Sequence, residues 1–174
     1  MQNREDEFGE VALTQTVHLL RFARRLCSDP SAAEDLVQET LMRAWRAFDQ
    51  FRGGTNARAW LFRIMLNVFY GQARKGHLAL VPLGDFDGPT MDGRNQNLEI
   101  NDALARLPAD QRAVLLLGVV EGFTCREMSD MLAIPMGTVM SRLSRARSAM
   151  RRQLGIAETE PRTKVEAYSQ KESS

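Results

Sequence analysis

Residues Phe123 to Arg152, FTCREMSDMLAIPMGTVMSRLSRARSAMRR, permit few local structures. Thr124 followed three residues later by Glu127 is a capping box: hydroxyl and carboxylate each satisfy a backbone N–H that the helix start leaves orphaned. Met128, Met131 and Leu132 then recur at helical spacing. Ala133-Ile134-Pro135 breaks the run, because a proline ring disfavours helical backbone in the residue before it. From Met136 the pattern resumes, with Val139, Leu143, Ala146 and Met150 on one face. The stretch predicts two helices joined by a tight turn.

The second of these helices becomes basic as it proceeds. At about 100° per residue, Thr138, Ser141, Arg145 and Arg152 fall on the face away from the apolar stripe, with Arg142 beside them. Arg142, Arg145, Arg147, Arg151 and Arg152 meet no acidic residue before Glu158. An amphipathic hairpin with solvated arginines would satisfy this pattern. So would a helix-turn-helix that lays a helix of arginines and hydroxyls in a DNA major groove. DNA binding is the stronger reading of the two.

A net charge of only +1 looks poor for a nucleic-acid binder until its distribution is followed. Glu5, Asp6, Glu7 and Glu10 make the start acidic, and Asp85, Asp87, Asp92, Glu99 and Asp102 the middle. Arg52, Arg58, Arg63, Arg74 and Lys75 form one basic block, and the arginines of 142–152 a second. Two basic patches separated by acidic segments suggest two contacts with one polyanion. Cys27 and Cys125 lie far apart, outside any C-x-x-C pair, which fits buried thiols in a reducing cytoplasm. His18 and His77 lack ligand-like companions, so neither a metal nor a cofactor is expected. The longest apolar run, Ala113 to Val120, is too short to span a membrane, and no membrane insertion is expected. Phosphate-loop, paired histidine–carboxylate and nucleophile-elbow motifs are all missing, which speaks against an enzyme.

Taken in order, the chain predicts an all-α protein of two small domains, 8–76 and 97–155, joined by a flexible acidic linker over 77–96. Residues 1–10 are expected to fray, and 156–174 to form a disordered tail. A helix over 11–27 would carry Leu13, Val17, Leu20 and Ala23 along one side, and Ser28-Asp29-Pro30 would end it. Ser31 and Glu34 suggest another capping box, opening a helix over 32–48. Its stripe is Ala33, Leu36, Val37, Thr40, Leu41, Ala44, Trp45 and Phe48. Asp35, Gln38, Glu39, Met42 and Arg43 occupy its outer face, where Glu39 and Arg43 can form a helical ion pair. Gly53 and Gly54 mark a loop ending at Asn56. The helix after it, 57–74, turns Leu61, Ile64, Met65 and Val68 inward and Arg63, Asn67, Tyr70 and Arg74 outward. Cations and a flat ring on one strip suit single-stranded DNA, although a solvated face would look the same. A helix over 97–107, another from Pro108 to Val120 and a sharp end at Gly122 complete the second domain.

Three segments together bear a family resemblance. GFTCREMSDMLAIPMGTVMSRLSRARSAMR is similar to the DNA-binding helix-turn-helix of bacterial RNA polymerase sigma factors of the extracytoplasmic-function (ECF) type, with IPMGTVMSRLSRAR its most specific part. DLVQETLMRAWRAF resembles the sigma segment that docks on the clamp helices of the polymerase β′ subunit, and NARAWLFRIMLN the one that melts and reads the −10 promoter element. DALARLPADQRAVLLLGVVEGF resembles the helices that support the −35 reader.

The resemblance implies promoter recognition with core RNA polymerase, through its β′ clamp helices and β subunit, under control of an anti-sigma factor in a stress response. It implies −35 contacts from Thr138, Ser141, Arg142, Arg145, Arg147, Arg151 and Arg152. It implies −10 contacts from Gly53, Gly54, Thr55, Asn56, Arg63, Asn67, Tyr70 and Arg74, and polymerase contacts from Asp35, Gln38, Glu39, Met42 and Arg43. Met140 stands where many relatives carry lysine, and Val68-Phe69-Tyr70-Gly71 where relatives are often more basic. A stand-alone helix-turn-helix regulator and a single-stranded-RNA binder are the competing readings.

Overall fold

The computed structural model describes residues 2–27, 29–51, 56–74 and 94–156, and every regular element among them is helical. Three helices form the N-terminal half: α1 (Gln2–Leu26), α2 (Pro30–Ala47) and α3 (Ala57–Arg74). The C-terminal half holds α4 (Arg94–Ala105), α5 (Ala109–Leu115), α6 (Cys125–Leu132) and α7 (Met136–Gln153). The expected linker and tail fall almost wholly outside the described residues, which resume at Arg94 and stop at Ile156.

Helix α1 is longer than the sequence suggests: residues 2–10 are helical where fraying is expected. They are held by tertiary contact. The Arg4 guanidinium lies 4.3 Å over the Trp45 ring and donates to the Trp45 carbonyl at 3.0 Å, while Phe8 meets Trp45 edge-on at 5.3 Å. Glu5 in the first turn also suits the positive end of the helix dipole. The buried face of α1 differs as well. Leu13 and Val17 stand 77% and 60% exposed, Ala23 is buried and Leu20 partly buried as expected, and the core adds Leu19, Phe22 and Leu26. Leu19, Phe22, Ala23 and Leu26 follow the i, i+3, i+4, i+7 pattern, so the buried face is turned away from Leu13 and Val17.

Helix α2 buries Ala33, Leu36, Val37, Thr40 and Ala44 as expected. Its cap is displaced, however. Asp29, not Ser31, is the N-cap: its carboxylate accepts from the Ala32 N–H at 2.8 Å, and Pro30 fills the first helical position. Proline's fixed φ and missing N–H fit that place, which moves the cap upstream of Ser31. Helix α3 buries Phe62, Leu66 and Phe69 in addition to Leu61, Met65 and Val68. Ile64 is partly buried against the same core.

The helix begun at Ala109 loosens into a π-helical turn over Leu116–Val120, where the Glu121 N–H reaches the Leu116 carbonyl at 3.1 Å. Gly122, at φ +73°, reverses the chain so that the Phe123 N–H closes on the Leu117 carbonyl at 3.0 Å. Thr124 and Glu127 form the expected capping box of α6. The break before α7 falls where predicted, with Ala133 left-handed at φ 52° and the Ser129 hydroxyl donating to the Ile134 carbonyl at 2.6 Å.

The two halves pack on one another. Phe22 meets Phe62 edge-on at 5.1 Å, and Phe62 meets Phe123 at 5.4 Å, so a line of rings runs from α1 through α3 into the C-terminal half. Helices α3 and α6 lie against each other beside this line.

Candidate nucleic-acid interface

Helix α7 is seated by Val139, Leu143 and Ala146, all buried, against α5 and α6. That seating decides which arginines reach solvent. Arg145, Arg147 and Arg152 are exposed and meet no carboxylate among the described residues. Arg151 and Thr138 are half-buried, as is Ser141, whose hydroxyl donates to the Thr138 carbonyl at 3.0 Å. Arg142 is held back: its Nε lies 3.1 Å from Asp110 in an ion pair. Met136, Gly137 and Met140 stand exposed at the start of α7, the end of a recognition helix that enters a groove first. Charge patterning does not single them out, because none of the three is charged.

The strip on α3 is brought together only in part. Arg63, Asn67 and Arg74 are set along one side of the helix, with Arg63 and Asn67 well exposed. Asn56 has a structural role, since its side-chain oxygen accepts the Ala59 N–H at 3.0 Å and caps α3. Tyr70 does not lie free beside the cations. Its hydroxyl is buried without a hydrogen-bond partner among the described residues. Burial pushes the pKa of that hydroxyl up to about 12, with nearby Arg142 lowering and Asp110 raising it. Gly53, Gly54 and Thr55 lie outside the described residues.

Another ring borders this strip. Trp60 is half-buried and lines a cleft with Asn56 and Arg63, its ring 4.8 Å from Phe51 at the foot of the loop. Positions 60, 63, 67 and 74 follow helical spacing, so the sequence contains the signal that places Trp60 on this strip. The opposite wall of the cleft belongs to α6, through Glu127, Asp130 and Met131.

On α2, Asp35, Gln38, Met42 and Arg43 are exposed, and Glu39 is half-buried. The Arg43 Nε donates to Glu39 at 2.6 Å, the ion pair expected from their spacing. Met42 is 49% exposed, an apolar side chain among charges. Among the described residues no cluster of His, Cys, Asp and Glu could hold a metal ion, and no helix is long and apolar enough to cross a membrane.

Comparison with known proteins matches residues 17–77 to the family "Sigma-70 region 2" and residues 97–150 to "Sigma-70, region 4". The chain is 35% identical over 154 residues to the ECF RNA polymerase sigma factor EcfG of Rhodopseudomonas palustris, covering 83% of each protein. It is 38% identical over 151 residues to the ECF sigma factor SigL of Mycobacterium tuberculosis, covering 79% of this chain and 85% of SigL. Among solved structures, the sigma factor RpoE of Bartonella quintana, in complex with the anti-sigma factor NepR, superposes with a TM-score of 0.74 at 32% identity, over 87% of this chain and 99% of that one. CnrH, in complex with the cytosolic domain of CnrY, superposes with a TM-score of 0.67 at 26% identity, over 88% and 91%.

Proposed function

Because this chain belongs to the ECF sigma factors, which direct RNA polymerase to promoters, we propose that it recognises a −35 element through α7 and a −10 element through α3 and the loop before it. The observation that carries this reading is the outward face of α7. Arg145, Arg147 and Arg152 project from a helix whose other side is locked into the C-terminal core, and no carboxylate among the described residues neutralises them. A rigid helix with unpaired guanidiniums can place bidentate donors at guanine edges and cations at phosphates.

The two halves have separate roles. The N-terminal domain, 8–76, binds core polymerase through Asp35, Gln38, Glu39, Met42 and Arg43 on the β′ clamp helices, with further contact to the β subunit. It also holds the melted −10 strand along Trp60, Arg63, Asn67 and Arg74, while the loop of Gly53, Gly54, Thr55 and Asn56 receives an extruded base. The C-terminal domain, 97–155, fixes the −35 end, and the acidic segment 77–96 connects the two domains. The half-buried state of Thr138, Ser141 and Arg151 makes them flanking rather than central groove contacts. Two solved relatives are bound to an anti-sigma factor or a cytosolic partner domain, which supports control of this chain by such a partner in a stress response.

Transcription in vitro with core polymerase on a library of randomised promoters tests the proposal. Enrichment of two sequence blocks at a constant spacing is the expected result. A single enriched block, or no promoter-directed transcript with core polymerase, would favour a stand-alone regulator.

A further inference from the structure

Two exposed apolar side chains stand together at the start of α7. Met136 is 47% exposed and Met140 44%. A spacing of four residues sets them one turn apart on the same side of the helix. Val139, Leu143 and Ala146 take the core side of α7, so the fold does not need either methionine to seat the helix. Gly137 lies between them in sequence, and a Cβ there would meet nothing within 4 Å. Packing does not call for glycine at that position, and a glycine inside a helix weakens it. Its effect is to leave the first turn bare beside the two thioethers.

The rest of the exposed surface of α7 is cationic. Arg147 returns to the methionine side two turns after Met140, and Arg145 and Arg152 are exposed as well. No carboxylate pairs with these three among the described residues.

Thioethers at one end of a helix and free guanidiniums along the remainder complement a DNA major groove. Phosphates and guanine edges take the guanidiniums. The apolar feature of that groove is the C5-methyl group of thymine. Packing a thioether on it removes both from water, and the unbranched methionine chain adapts to where the methyl lies. A lysine at position 140 would reach a phosphate instead, a contact that carries no sequence information.

We infer that Met136 and Met140 are specificity-determining residues that read thymine methyl groups in the −35 element. The protein then prefers A·T pairs where the first turns of α7 enter the groove. This rests on the reading of α7 as the −35 helix and adds which base edge it selects.

The experiment uses the full chain assembled with core polymerase, and the promoter duplex most enriched from the randomised library. Each thymine of the −35 block, on either strand, is replaced in turn by uracil. The exchange removes the methyl group and keeps every hydrogen bond. Competition binding followed by fluorescence anisotropy measures each duplex. At one position or more, uracil should weaken binding about fourfold, the weight of one methyl group taken out of water. Met140→Ala should lose a similar factor on the thymine duplex and no longer distinguish thymine from uracil at its position. Met136→Ala should do the same at a neighbouring position. Met140→Lys should also lose the distinction, while its binding to all sequences becomes more dependent on salt. A merely structural defect would weaken both duplexes alike, so the ratio between them isolates the contact.

Equal binding of thymine and uracil at every position would overturn the inference, and so would a −35 block without an A·T pair. Methyl sensitivity that survives both alanine variants would move the contact to another side chain and overturn the assignment. Failure of Met140→Ala to assemble with core polymerase would make the pair a protein contact instead. Failure of the −35 reading itself shows separately, as equal binding of the unmodified holoenzyme to promoters with intact and scrambled −35 blocks, and the inference falls with it.

Discussion

The guanidinium of Arg112, buried in α5, donates to the Leu26 carbonyl at the end of α1 at 2.9 Å. The same group donates to the Leu107 carbonyl at 3.1 Å and also reaches Ala105, so one side chain closes the ends of two helices, one in each half. Burial lowers its affinity for a proton, and the nearby Cys27 raises it again. Arginine is the side chain that stays charged in such a place and offers donors in several directions. Arg112→Met should therefore cost about 3 kcal/mol, because the carbonyls it serves are left dry and unpaired. Urea unfolding monitored by circular dichroism measures this, and Arg112→Lys should recover only part of the loss.

Alkaline pH should weaken the fold in a defined window. Burial pushes the Cys27 thiol up to about 12 from 9.0, and the Tyr70 hydroxyl up to about 12 from 10.0. Both groups hold their protons more tightly when folded, so the unfolded chain binds fewer protons as pH rises. The stabilisation is complete below pH 9.0 and is lost progressively towards about 12, by at most about 1.4 kcal/mol per pH unit per group. Cys27→Ala should flatten the stability profile from about pH 9 upward, and Tyr70→Phe from about pH 10. Unfolding free energies across that range would show it, and parallel profiles for all three proteins would contradict it.

Arg145 and Arg151 differ in their placement on α7, exposed and half-buried respectively. Arg145→Ala should relax preference at one −35 position and cost about 1–3 kcal/mol on the preferred sequence. Arg151→Ala should weaken binding to all sequences alike and reduce its salt dependence. Equal losses on preferred and random DNA for both variants would remove the distinction.

Reversing charge at Asp35 and Glu39 should abolish assembly with core polymerase while leaving the melting temperature almost unchanged. Asp35 is exposed, and the Glu39–Arg43 pair is a surface contact whose loss costs a few tenths of a kcal/mol. Co-purification with core polymerase beside a thermal melt decides the matter.

The turn of the helix-turn-helix stores a small strain. Ala133 is held at φ 52°, a conformation that costs a non-glycine residue about 1 kcal/mol. Ala133→Gly should raise stability by up to that amount, since glycine adopts the angle freely. Gly122→Ala, at φ +73° with nothing crowding its Cβ, should lower stability by a similar amount through backbone strain alone. Thermal melts of the two variants should move in opposite directions.

Short-range pattern was enough for much of this protein. The capping box at Thr124 and Glu127, the break before Pro135, the stripe of Val139, Leu143 and Ala146 and the Glu39–Arg43 pair all depend on neighbours within one or two helical turns, whose spacing is written in the chain. Family membership was legible for the same reason, because its motifs are local runs. What remained hidden depends on contacts between residues distant in sequence. Residues 2–10 become helical by packing Arg4 and Phe8 on Trp45, and Leu13 loses its place in the core to Leu19 and Phe22 once α2 and α3 define which side is covered. Arg142 turns towards Asp110, and the Tyr70 hydroxyl is buried near the same pair, through contacts that no local spacing announces. No local pattern marks Glu121, which is buried between Arg58 of α3 and His18 of α1. Only the arrival of α1 and α3 buries it, and a buried carboxylate gains its meaning from the cations that surround it in space.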